Sequence, residues 1–219
     1  MSLTQFYLLL TPIILFSLTV HEYSHGKVAY ILGDDTAKMM GRLTFNPLKH
    51  LDFFGVICFY FMGFGWAKPV PVNWNKLGNP HRDMMYVAAA GPASNLILAL
   101  LFGFLVRVVE PTGDWSAILY IMLCNALFIN VALGVFNMIP VFPLDGASIL
   151  KGLVSPEVAF KLSRFDRYSG FLLLGVFLLD YFAHTQILIG ILRLPIEFMV
   201  EFFTQEAFHR ARQMIPFFR

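Results

Sequence analysis

Residues 3–32 read LTQFYLLLTPIILFSLTVHEYSHGKVAYIL, and the fold turns on them. The run is apolar almost throughout, and a helix needs about 20 such residues to cross a bilayer. It nevertheless carries His21, Glu22 and His25 near its end. Ionisable side chains inside a span are costly and mark function. On a helix, residues at i and i+4 project from one face, so the imidazoles of His21 and His25 can reach one metal ion. Glu22 is then placed to act as general base on a water at that metal. The bland alternative is two histidines and a glutamate facing a polar bundle interior.

The rest of the chain agrees with a membrane setting. Of 219 residues, 58% are hydrophobic and 14% charged, whereas a soluble domain carries about 25% charged residues. The mean hydropathy is +0.67. These values predict an integral membrane protein. The net charge of +2 comes with no basic tract, so no nucleic-acid partner is expected. Cys58 and Cys124 lie in apolar stretches without metal-ligand spacing and read as small buried hydrophobes. The start of the chain has no basic region and no small-residue cleavage site, so the first helix is expected to be retained.

Further apolar segments run from about Met84 to Val109, from Trp115 to Met138, and onward from Tyr168. The aromatic, glycine-bearing stretch Phe53 to Gly65 is too short to cross and fits a re-entrant or interfacial segment. Pro69 and Pro71 follow it and exclude a helix interior there, so residues 43–72 are expected to form an extended, hairpin-like element. Arg193, Glu197 and Glu201 form an i, i+4, i+8 polar stripe, which suits a helix lying in the interface. The alternative is a fifth span from Ile187 to Phe203 that returns Arg210, Arg212 and Arg219 to the cytosol. Asp180 and His184 are i, i+4 neighbours expected to pair or snorkel at a helix end. The expected fold is an all-α polytopic bundle of about four transmembrane helices. It has a re-entrant or extended hairpin element after the first helix and an amphipathic or re-entrant C-terminal helix. Residues 1–155 form the core and 156–219 the C-terminal helices of one compact domain.

Charge sets the expected orientation. Lys38, Arg42, Lys49, Lys68, Lys76 and Arg82 fall between the first two spans. Lys151, Lys161, Arg164 and Arg167 follow the third, and residues 110–114 carry no basic side chain. The positive-inside rule places the first and third connections in the cytosol, with His21 and His25 in the cytosolic half of their helix.

A catalytic zinc usually takes three protein ligands and keeps one position open. His50, Asp52, His81 and Asp145 are candidates for the third, and Asp145 is the strongest. It lies in Asn137-Met138-Ile139-Pro140-Val141-Phe142-Pro143-Leu144-Asp145-Gly146 at the cytosolic end of the third span. Pro140 and Pro143 unwind the backbone there, and irregular backbone at membrane depth belongs where it is buried or lines a wet cavity. Asp145 thereby arrives at the level of the two histidines. The alternative is that it merely caps the helix that follows.

Taken together, HEYSH in a span, Gly91-Pro92-Ala93-Ser94-Asn95 in the second clear span, and the Asn-x-x-Pro-x-x-Pro-Leu-Asp-Gly run resemble the site-2 protease family of intramembrane zinc metalloproteases. Asn46-Pro47-Leu48-Lys49-His50-Leu51-Asp52 is also similar to the family's segment after its first motif. The resemblance covers residues from about 15 to 150, and it is to a minimal form without PDZ or CBS domain. It implies one zinc ion held by His21, His25 and Asp145, with Glu22 activating water. It also implies that Asn137 holds the substrate or polarises its carbonyl. Gly91 and Asn95 match the family's GxxxN-type motif and read as packing residues or supports of the ligands, with a substrate contact open. His50 and Asp52 read as anchors of their loop. The implied substrate is a transmembrane protein, cut in regulated intramembrane proteolysis or in clearance of signal-peptide remnants. The setting implied is the lipid bilayer of a prokaryotic inner membrane, with the site toward the cytosol and a possible separate adaptor or inhibitor protein. Two rival readings use the same residues. One is a membrane-bound zincin that cuts water-exposed segments; the other is a metal transporter or scaffold, against which Glu22 argues.

Overall fold

A computed structural model describes residues 3–62 and 65–218, and every regular element among them is helical. The long helices are α1 (Leu3–Ile31), α4 (Pro80–Val108), α5 (Asp114–Asn137), α7 (Pro156–Ala183) and α8 (Ile187–Thr204). Shorter ones are α2 (Thr36–Met39), α3 (Phe53–Met62), α6 (Asp145–Leu153) and α9 (Phe208–Met214). Local chemistry sets several of the starts. The Asn79 side chain accepts from the Arg82 N–H with Pro80 in the first turn of α4, and Ser155 with Pro156 does the same for α7. Such caps satisfy N–H groups that a helix start otherwise leaves orphaned, and proline's missing N–H costs nothing there.

Helix α4 is the hub and packs on α1, α5 and α6. An apolar core lies toward the α4–α5 connection. There Ala99 and Val106 of α4 and Tyr120, Leu127 and Val131 of α5 meet Ile196, Val200 and Phe203 of α8. Gly103 allows this closeness, since a Cβ there would sit 2.7 Å from the Cβ of Phe203.

By length and composition α4 and α5 can each cross a membrane, and α7 with the segment Ile187–Met214 forms a pair bent by 101°. Two or three candidate spans result, and the protein is a multi-pass membrane protein. The bend bears on the C-terminal segment. Arg210 Nη1 lies 2.6 Å from Glu110 Oε2 in the α4–α5 connection, and Arg212 pairs with Glu197 at 3.1 Å. Glu110 is at the opposite end of α5 from Asp145, so the C-terminal helices fold against that far end. They do not bring Arg210 and Arg212 back beside Asp145, as a fifth span would. Arg219 lies outside the described residues.

Two other expectations need correcting. Residues 43–72 are not an extended hairpin, because Phe53–Met62 is helical. The extended part is residues 65–73, joined to residue 51 by a single antiparallel bridge between Leu51 and Ala67. The Asp52 carboxylate explains the helix start, accepting from the Gly55 N–H at 2.9 Å. Residues 63 and 64, at the end of the expected re-entrant stretch, lie outside the described residues. Asp180 does not pair with His184. Its carboxylate accepts from the Thr185 hydroxyl and from the N–H groups of Ile187 and Leu188, so it serves as a cap for α8.

Candidate metal centre

Three side chains from two helices converge among buried surroundings. His21 Nε2 and His25 Nε2 are 3.0 Å apart, and Asp145 Oδ2 lies 3.2 Å from the first and 3.4 Å from the second. The histidines come from consecutive turns of α1. Asp145 comes from the first residue of α6, whose cap position belongs to Leu144. The turn before it is tight enough that a Cβ on Gly146 would collide with the Met138 and Ile139 carbonyls. Asp145 does not cap its helix with its carboxylate, which is directed at the two imidazoles.

Hydrogen bonding decides which nitrogen faces the centre. His25 Nδ1 lies 2.7 Å from the Val87 carbonyl, an acceptor only, so Nδ1 carries the proton and donates. His21 Nδ1 lies 2.6 Å from Asn95 Oδ1 and donates likewise. With Nδ1 engaged in this way, Nε2 of each ring is the nitrogen turned to the centre, where the two point at one another and at a carboxylate. Asp145 Oδ2 is buried and accepts no hydrogen bond among the described residues. A carboxylate and two imidazole nitrogens this close need positive charge between them, either a bound metal ion or protons on the rings. Zinc bonds of about 2.0–2.2 Å in tetrahedral geometry separate ligand atoms by about 3.3–3.5 Å. The observed triangle is close to that spacing, and two imidazoles with one carboxylate are an ordinary donor set for zinc. The residues fit the metal.

Gly91 is required by this packing. A Cβ there would stand 2.5 Å from His25 Cε1 and 2.6 Å from His21 Cε1. Alanine is the better helix former, so Gly91→Ala should leave α4 intact while pushing both rings out of place. We expect zinc affinity to fall by more than about tenfold, the scale seen when a ligand's support is disturbed. Competition with a chelator measures it, and unchanged affinity would show that the rings have room to move.

Glu22 is held from the opposite side. Its Oε2 accepts from the Val70 N–H at 2.8 Å. Val70 stands between Pro69 and Pro71, which have no N–H, so this amide is the one donor of that tripeptide. The strap of residues 65–76 is fastened at both ends of the contact. Arg42 Nη2 donates to the Lys68 carbonyl at 2.8 Å, Asp34 Oδ2 accepts from the Asn73 N–H at 2.6 Å, and Lys76 pairs with Asp35.

Burial works to raise the Asp34 carboxyl, but hydrogen bonds from Thr36 and Asn73 and the nearby Lys76 charge outweigh it and hold the pKa below the ordinary range. A depressed native pKa means that this tie stabilises above the unfolded value of about 3.9. The contribution is lost as pH falls through the lower native value. The amide resonances of Thr36 and Asn73 should therefore stay constant from neutral pH to about 4 and move together only below it. Movement at higher pH would mean that Asp34 is not the tie.

The other candidates lie elsewhere. His50 Nε2 donates to the Thr44 carbonyl at 2.8 Å, and His81 Nε2 to the Val154 carbonyl at 3.0 Å. With Asp52 at the start of α3, none joins the cluster. His21, His25 and Asp145 are the one His/Cys/Asp/Glu group of metal-holding geometry among the described residues. Asn137 donates its amide to the Leu133 carbonyl one turn back in α5, and no contact brings it to the three ligands among the described residues. The sequence reading missed the Val87 carbonyl and the Val70 N–H. Both are backbone groups and carry no residue-type signal. It also missed Asn130 and Ser17, which extend the hydrogen bonding behind Asn95.

Comparisons with known proteins bear on the family. The profile of peptidase family M50 matches residues 106–178. YwhC of Bacillus subtilis (strain 168), which bears a provisional zinc-metalloprotease name, is 42% identical over 176 residues, covering 78% of this chain and 80% of its own. Rip2 of Mycolicibacterium smegmatis, similarly named, is 32% identical over 176 residues, 75% of this chain and 64% of its own. Zinc metalloprotease MJ0392 of Methanocaldococcus jannaschii is 29% identical over 84 residues, 38% of this chain and 24% of its own. No solved structure matches the chain.

Proposed function

Since the chain belongs to peptidase family M50, the zinc metalloproteases of the site-2 protease type, we propose that it hydrolyses a peptide bond within or near a transmembrane segment of a membrane-protein substrate. The observation that carries this reading is the triangle of His21, His25 and Asp145 side-chain atoms 3.0 to 3.4 Å apart, set among apolar helices. His21, His25 and Asp145 hold one zinc ion per chain. When bound, zinc supplies Lewis acidity that polarises a peptide carbonyl and acidifies water. Glu22 takes a proton from the attacking water with one carboxylate oxygen while the Val70 N–H steadies the other, and it then passes that proton to the leaving amine. An unwound substrate segment can lie along the extended residues 65–73 by strand addition.

Helix α1, with α4, α5 and α7, serves as a membrane span, and the basic connections favour a site toward the cytosol of a prokaryotic inner membrane. Arg210 and Arg212, at the far end of the bundle, are paired with Glu110 and Glu197. The physiological role is regulated intramembrane proteolysis or removal of signal-peptide remnants, with an adaptor or inhibitor protein as a possible partner.

The test is purified protein in detergent mixed with single-span substrates bearing reporters at each end. Chelator-sensitive cleavage inside the span supports the reading. Cleavage confined to segments outside the span moves the assignment to a membrane-bound zincin, and zinc binding without any cleavage moves it to a transport or scaffold role.

A further inference from the structure

Behind His21 lies a chain of amides whose direction can be read from its far end. Asn130 Nδ2 donates to the Ala126 carbonyl at 2.9 Å and lies 2.9 Å from the Ser17 hydroxyl. The carbonyl accepts only, so this atom is the NH2 of Asn130 and its other side-chain atom is the oxygen. That oxygen accepts from Asn95 Nδ2 at 2.9 Å, and the same Asn95 NH2 reaches the Ser17 carbonyl at 3.3 Å. Asn95 must then turn its own oxygen to His21, where it takes the Nδ1 proton at 2.6 Å. Ser17, Asn95 and Asn130 are each 0% exposed. They come from α1, α4 and α5, so the chain joins three helices where no water competes.

We propose that Asn130 is a positioning residue that sets the tautomer of His21 by fixing the orientation of Asn95. An asparagine amide can turn over, exchanging oxygen for NH2. With Asn130 Oδ1 in place, a turned Asn95 sets two carbonyl oxygens against each other and two donors against the histidine. Without it, the turned form meets only the Ser17 carbonyl, the longer of the two contacts at 3.3 Å, and much of that penalty is gone. Its NH2 then faces His21 Nδ1, which becomes an acceptor, and the proton moves to Nε2. A protonated Nε2 cannot ligate a metal. One uncharged residue on α5, with no contact to the metal-holding triangle, thus decides whether the α1 ligand is presented in a competent form. The idea rests on the metal-centre reading, and its tautomer component can be measured without metal.

The test uses the full chain in detergent with Asn130→Leu, which keeps the branching at Cγ and removes both hydrogen-bonding ends. Asn125→Leu is the control. Asn125 is also buried on α5 and bonds only within its helix, to the Ile121 carbonyl. Zinc affinity is read by chelator competition, and the His21 tautomer by nitrogen resonances of histidine-labelled, metal-free protein. Expected for Asn130→Leu are a rise in the Nε2-protonated form and zinc binding weakened by about 10- to 100-fold, with Asn125→Leu unchanged in both. Wild-type tautomer and affinity in Asn130→Leu would overturn the proposal. So would equal losses in Asn125→Leu, since the effect would then be helix packing. If wild type binds no zinc, the metal-centre reading fails, and the tautomer measurement still decides whether Asn130 governs His21.

Discussion

Glu22→Gln is expected to keep zinc and lose cleavage by a factor of about 10²–10⁴, the usual worth of a positioned acid–base group. The substitution is nearly isosteric. Its amide oxygen can still accept from the Val70 N–H, as Glu22 Oε2 does at 2.8 Å. The strap should therefore remain on α1. What is lost is a group able to take a proton from water and deliver it to the leaving amine. Measuring zinc content and cleavage on one preparation separates this from a folding defect. Cleavage equal to wild type with zinc retained would remove Glu22 from the chemistry. Loss of zinc together with activity would show that Glu22 supports the ligand set instead.

Asp145→Ala and His21→Ala are each expected to reduce zinc from about one per chain to a small fraction after dialysis against a competing chelator. Either change removes one of three donors from a site whose remaining two cannot complete a catalytic zinc's usual set. The fold should survive the aspartate change in particular. Asp145 Oδ2 is buried without a hydrogen-bond partner among the described residues, and the two imidazole nitrogens lie 3.2 and 3.4 Å from it. Removing that carboxylate leaves no hydrogen-bonded group without its partner among the described residues. Zinc content by elemental analysis beside a thermal melt of metal-free protein checks both halves. Full zinc retention in both variants would mean that the metal is held elsewhere.

Much of this site was legible in the sequence because its spacing is local. His21 and His25 share a helix face by the period of the α-helix alone. The prolines at 140 and 143 announce that Asp145 follows an unwound stretch, and the structure places it 3.2 and 3.4 Å from the two imidazoles. Gly91 was legible as part of a small-residue motif, but its closeness to both histidine rings was not. The hairpin expectation failed because prolines at 69 and 71 say nothing about residues 53–62. The Asp52 side chain caps that stretch, whose apolar residues then run on as a helix. The C-terminal segment was ambiguous for another reason. A stripe of Arg193, Glu197 and Glu201 is compatible with several placements, and the pairing of Arg210 with Glu110, 100 residues away, is a contact that no local interval announces.

The sequence by itself determined that this is a helical membrane protein carrying two histidines, a glutamate and an aspartate suited to zinc hydrolysis. Those conclusions follow from composition, from the i, i+4 interval that puts the two histidines on one helix face, and, for Asp145, from the resemblance of its motif to the site-2 protease family. Only the tertiary structure decided which nitrogen of each histidine meets the centre, that the Val70 amide steadies Glu22, and that Asn130 stands behind Asn95. These contacts join residues 35 to 74 positions apart. Their partners are backbone carbonyls, amide protons and side-chain amides whose directions are set by how α1, α4, α5 and the strap pack. Hydrogen bonds are directional over tenths of an ångström, and no interval along the chain encodes a direction between two helices.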